Sequence, residues 1–164
     1  MNNPQVLIIL GSSSDLQVME GAEKTLKEFG VSCEVRIASA HRTPHKAMKL
    51  ASSAADNGTK VVIAAAGYAA HLAGSIAAHT TLPVIGVPLD ASALNGFDSL
   101  LSTVQMPAGV PVATVTIGKS GAKNAAILAV QILAHSDDAL TEKLKKYKED
   151  MAKKVDDADS KLAR

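Results

Sequence analysis

Val6-Leu7-Ile8-Ile9-Leu10-Gly11-Ser12-Ser13-Ser14-Asp15 is five apolar residues in a row, halted by a glycine and carried through three serines to an aspartate. A run that is apolar on both faces and rich in Val and Ile reads as a strand buried in a parallel sheet. The pattern then recurs. Cys33–Ala38, Lys60–Ala66, Pro83–Val87 and Pro111–Ile117 are further strand candidates, separated by helical periodicity near 15–29, 44–57, 69–79, 96–105 and 120–134. Strand and helix alternating five times predict an α/β chain: a three-layer parallel sheet with right-handed crossovers. No repeat, linker or low-complexity stretch interrupts the series.

At 164 residues the chain fits one domain with a full core. A single cysteine, Cys33, can close no internal disulfide and points to a reducing compartment. The start, Met1-Asn2-Asn3-Pro4, carries neither a basic run nor an apolar signal core, and no apolar run reaches membrane-spanning length. The expected location is the cytoplasm. A net charge of +1 and only 2% aromatic residues argue against nucleic-acid and acidic-membrane partners.

Charge is unevenly placed. Residues 137–164 hold 8 of the 17 basic and 8 of the 16 acidic side chains, so the first 136 residues are charge-poor, in a chain with 28 alanines. Such a surface predicts a symmetric homo-oligomer. The tail divides from the 1–135 domain at residue 136. Leu140, Leu144, Tyr147, Met151, Val155 and Leu162 form one narrow apolar stripe on a charged helix. That helix packs either on its own subunit or on a neighbouring one.

Three loops follow the first three strands and, in a parallel sheet, open on one edge. In the first, Gly11 permits a sharp turn, the serine hydroxyls and freed N–H groups make an anion site, and Asp15 can accept from sugar hydroxyls. The same residues also suit an ordinary helix cap. They match neither a Walker loop nor a dinucleotide fingerprint. The second loop, Ser39-Ala40-His41-Arg42-Thr43-Pro44, sets a ring that titrates near neutrality beside a fixed cation at a proline-started helix. Arg42 suits an anion, and His41 suits proton transfer. The third, Ala64 to Gly74, has almost no hydrogen-bonding side chains; Gly67 there reads as backbone in close approach to a ligand, or as tight helix–sheet packing.

The other histidines point elsewhere. His41 and His45 are a metal pair by spacing, but Pro44 and the lack of an acidic third ligand argue against it, so no metal is expected. His71 reads as a hydrogen-bonded packing residue, and His79 and His135 lie near helix ends. Cys33 reads as packing rather than as a nucleophile.

Gly11–Asp15, Ser39–Pro44, Ala69-Ala-His-Leu72, Leu82-Pro-Val-Ile-Gly-Val-Pro88, Asp98–Ser102, Val104-Gln-Met-Pro107, Gly109–Thr114 and Asn124-Ala-Ala126, in this order, resemble the bacterial N5-carboxyaminoimidazole ribonucleotide mutases of purine biosynthesis. The resemblance runs from Val6 to about Leu133. It implies a flavodoxin-like sheet in the order 2-1-3-4-5 with a C-terminal helical extension, no cofactor, an octamer with sites at subunit junctions, and a phosphorylated aminoimidazole ribonucleotide as substrate. It also implies Ser12 at the phosphate, Asp15 at the ribose, Ser39 beside them, Arg42 as phosphate clamp and His41 as acid/base. One stretch departs from the family pattern. Tyr68 stands where a glycine is usual and Ala73 where a proline is.

Two other readings stay in view. A related carboxylase would use free carbon dioxide and the unmodified ribonucleotide. A non-catalytic flavodoxin-like binding domain of the receiver type would explain Lys119 after the fifth strand, yet no acidic pair ends the first strand.

Overall fold

The computed structural model describes residues 3–162. Met1 and Asn2 of the starting segment, and the last two residues of the 136–164 tail, lie outside them. The strands are β1 (Val6–Leu10), β2 (Cys33–Ile37), β3 (Val61–Ala66), β4 (Val84–Pro88) and β5 (Ala113–Thr114). The helices are α1 (Leu16–Phe29), α2 (Pro44–Ser53), α3 (Leu72–Ala77), α4 (Phe97–Val104), α5 (Gly118–Ala134) and α6 (Asp138–Ser160), with a short 3-10 turn over Ser13–Asp15 before α1. All strand pairs are parallel and the order is 2-1-3-4-5.

Register explains why the three central strands are apolar throughout. Ile8, Ile63 and Ile85 lie abreast and point into one core layer. Their neighbours Leu7, Val62 and Val84 point the other way, into the second. The first layer is closed by Met19, Ala22, Leu26 and Phe29 of α1 and by the alanines of α5. Small α5 residues such as Ala122, Ala125 and Ala129 let that helix approach closely. The second layer is closed by α2 and α3 through Ala47, Ala51, Leu72 and Ile76.

The edges differ from the sequence reading. β2 is not buried on both faces: Glu34, Arg36 and Ile37 are exposed, and Glu34 and Arg36 pair at 2.9 Å on the rim. A strand with one neighbour keeps a solvent side, and charges there discourage further pairing. β5 has two residues rather than seven, because Pro111 has no N–H to give and only Ile85 and Gly86 face it. α2 stops at Ser53, and a turn over the following residues replaces the expected helical end at 57.

α6 meets the body of the chain through its first three turns. Asp137 caps it by accepting from the Leu140 N–H at 3.1 Å, Leu140 is buried, and the Tyr147 ring stands 5.6 Å from that of Phe29. Lys143 Nζ donates to the Phe29 carbonyl at 2.6 Å. Past Tyr147 the stripe is uncovered, with Met151, Val155 and Leu162 all exposed. Among the described residues no helix is long and apolar enough to cross a membrane.

Candidate active site

The C-terminal ends of β1, β2 and β3 lie side by side, so the three loops that follow them meet around one cavity of about 460 Å³. Ser12, Asp15, Ser39, His41, Arg42 and Gly67 all line it. The three loops expected to open on one sheet edge do so, and these six residues meet there.

The first loop is held by a capping box. Asp15 Oδ2 accepts from the Ser12 N–H at 2.9 Å, while Ser12 Oγ accepts from the Ser14 N–H at 3.3 Å and from the Ser14 hydroxyl at 2.9 Å. The cap and the site are the same residues. Ser12 still has its own O–H to give. Burial pushes the Asp15 carboxyl above its ordinary value, against the opposing pull of the Ser14 hydroxyl, the Ser12 N–H and the Arg42 charge. Gly11 turns without left-handed backbone, and a Cβ there would meet only ordinary contacts, the nearest at 3.5 Å. The sharp turn expected of it does not require glycine.

The second loop is tied at both ends. Ser39 Oγ accepts from the Arg42 N–H at 3.1 Å, and Thr43 closes the turn by bonding the Ser39 N–H at 2.9 Å. Pro44 then starts α2. From this frame the Arg42 side chain reaches across to donate from Nη2 to the Gly11 carbonyl at 3.0 Å. Of five guanidinium donors that bond uses one, and the exposed group has others to offer an anion.

The third loop approaches closely for a visible reason. A Cβ on Gly67 would stand 2.5 Å from that of Ala91, so the segment after β4 presses on this backbone. Tyr68 follows with φ of 54°, a left-handed conformation that bulky side chains seldom adopt. The chain then turns to deliver His71.

His71 is not the packing residue expected. It is exposed at the cavity wall, and its Nδ1 lies 2.7 Å from His41 Nε2, with the rings nearly perpendicular. One of the facing nitrogens therefore carries a proton and the other is bare. The apolar surroundings of His71 concealed it; the available signal was its loop, which opens on the same sheet edge as His41.

The remaining candidates fall outside this group. His45 is exposed on α2, and among the described residues no three His, Cys, Asp or Glu side chains gather to hold a metal. His79 Nδ1 pairs with the Ser75 carbonyl at 2.7 Å, and His135 ends α5. Cys33 is half-buried, and that burial, with Glu23 nearby, raises its thiol pKa, so it is a poor nucleophile.

The AIR carboxylase family matches residues 5–154. The chain is 55% identical to the N5-carboxyaminoimidazole ribonucleotide mutase of Pyrococcus horikoshii, over 97% of this chain and 89% of that protein. It is 54% identical to the mutase of the same name from Bacillus subtilis, over 93% of this chain and 94% of that one. In three dimensions it is similar to the crystal structure of Treponema denticola PurE, with a TM-score of 0.87 and 32% identity, covering 98% of this chain and 99% of that one.

Proposed function

This chain belongs to the AIR carboxylase family, and from that premise we propose that it is an N5-carboxyaminoimidazole ribonucleotide mutase of purine biosynthesis, working in the cytoplasm. The reaction moves a carboxylate from the exocyclic nitrogen to C4 of the ribonucleotide. The supporting observation is one cavity that joins a proton-carrying imidazole pair to an anion-binding arginine and a hydroxyl-rich capped turn, in a chain more than half identical to proteins bearing that name.

Arg42 and Ser12 hold the phosphate, and Asp15 accepts from the ribose hydroxyls. The carbamate N–C bond breaks to release carbon dioxide while the exocyclic nitrogen takes a proton from His41. C4 then attacks the carbon dioxide, and the proton left on C4 passes to His41. One group gives a proton to the nitrogen and takes a different one from C4, ending as it began, so no external base is needed. His71 stabilises the charged state: whenever His41 is the imidazolium, a bare His71 nitrogen 2.7 Å away accepts from it. The Ala and Gly backbone around Gly67 keeps water from the freed carbon dioxide. No cofactor enters these steps.

The partner is a further copy of the chain, and we assign an octamer. Leu94, Phe97, Leu101 and Val104 form an exposed apolar stripe on and before α4, which a monomer would leave in water.

The deciding experiment supplies the purified protein, without ATP, with either the carbamate ribonucleotide or aminoimidazole ribonucleotide plus carbon dioxide, and follows product absorbance. Fast turnover of the carbamate is expected. Fast turnover of only the second pair overturns the mutase reading in favour of the carboxylase.

A further inference from the structure

Resting on that mutase reading, we propose that Tyr68 is a substrate-contacting residue whose ring covers the planar face of the heterocyclic ribonucleotide and thereby sets affinity. Three observations bear on it. Tyr68 sits at φ 54°, where a glycine would be unstrained, and it occupies a loop whose preceding residue is pinned by Ala91. The loop therefore requires the turn, and it does not require a tyrosine to make it. Strained residues at a ligand cavity are kept where the side chain is used.

The fold itself makes no use of the ring. Tyr68 is 63% exposed, and it stands apart from the aromatic pair of the core, Phe29 with Tyr147. The chain contains two tyrosines, two phenylalanines and no tryptophan. Phe29 and Tyr147 pack on each other beneath α6, and Phe97 belongs to the α4 stripe. Tyr68 alone of the four lines the cavity, whose neighbouring walls are Ala66, Gly67 and Ala69. Those residues offer no flat surface to a planar ring; the His41 and His71 imidazoles on the same cavity are engaged with each other, and Tyr68 is the unengaged ring beside them. Face-to-face contact with a heterocycle uses the ring and not the hydroxyl.

The sparseness of aromatics supplies a direct probe. In Tyr147→Phe, Tyr68 is the only tyrosine, and with no tryptophan it is the only strong fluorophore. Titrating that protein with the carboxylated product nucleotide is expected to quench the emission saturably. In turnover with the carbamate ribonucleotide, Tyr68→Gly is expected to raise KM about tenfold with kcat within threefold, the low end of what one stacked ring contributes. Its melting temperature is expected to match or exceed the parent's, because glycine relieves the left-handed strain. Tyr68→Phe is expected to stay within about twofold of the parent in KM. An unquenched emission, an unmoved KM in Tyr68→Gly, or a Tyr68→Phe as impaired as Tyr68→Gly each overturns the assignment. A parent protein that turns over neither substrate pair strikes the mutase reading instead, and the quenching titration still decides the contact.

Discussion

His41 and Arg42 are adjacent in the chain and face different demands, which substitution can separate. His41→Asn keeps a polar group of similar size but cannot cycle a proton, so kcat is expected to fall by about 10² to 10⁴ with KM little changed. Arg42→Ala removes charge-assisted donors to the phosphate and is expected to raise KM by about 10- to 100-fold. Steady-state kinetics on both variants check the split. An Asn variant at full turnover would remove His41 from the mechanism. Asp15 gives a prediction of opposite kind, because burial raises its pKa above the ordinary 3.8. The folded state then binds the proton more tightly than the unfolded chain does. Stability from this group is fully present below the unfolded value and is lost as pH rises through the folded one. The melting temperature of the parent minus that of Asp15→Asn is therefore expected to grow as pH falls from about 7 to about 4. Calorimetry showing the difference shrink would contradict the burial argument. At this scale the sequence was most legible where charge and hydroxyls cluster, as at Ser12–Asp15 and Ser39–Arg42. It was least legible at His71, whose neighbours are apolar and whose partner lies 30 positions away.

At the scale of elements, strands buried between two helical layers announce themselves, because both faces must be apolar. β1, β3 and β4 were readable for that reason. β2 and β5 were less so: an edge strand has one neighbour, and its length depends on what that neighbour offers rather than on its own composition. The same layering makes glycines at different depths behave in opposite ways. Gly86 lies in β4 under α4, where an added Cβ would collide with the Thr103 methyl and stand 2.8 Å from Val112. Gly86→Ala is expected to lose about 1–3 kcal/mol of stability through overpacking. Gly21 is inside α1 with nothing within 4 Å of an added Cβ. Gly21→Ala is expected to gain about 0.5–1 kcal/mol from the lower entropy of the unfolded chain. Urea denaturation of the two variants measures both signs, and equal effects at the two sites would refute the packing account.

For the whole molecule, the uneven charge seen in the sequence and the uncovered faces in the fold point to the same surface. Leu94, Phe97, Leu101 and Val104 follow one another at steps of three and four, and each is more than two-fifths exposed. At the foot of this stripe Asp98 Oδ1 is buried without a hydrogen-bond partner among the described residues, although the start of α4 offers it a favourable dipole. A groove that includes Leu101, Gln105 and Met106 runs from the stripe to His71. Assembly through α4 would thus buttress the helix behind the imidazole pair. Native mass spectrometry of the parent protein is expected to give an octamer. Phe97→Asp combined with Leu101→Asp puts two charges into the apolar contact, and the complex is expected to fall to smaller species. Turnover should drop at least tenfold in parallel, although neither residue reaches the cavity that holds His41 and Arg42. A double variant that stays octameric would remove α4 from the interface. One that dissociates with undiminished turnover would show that each subunit completes its own site.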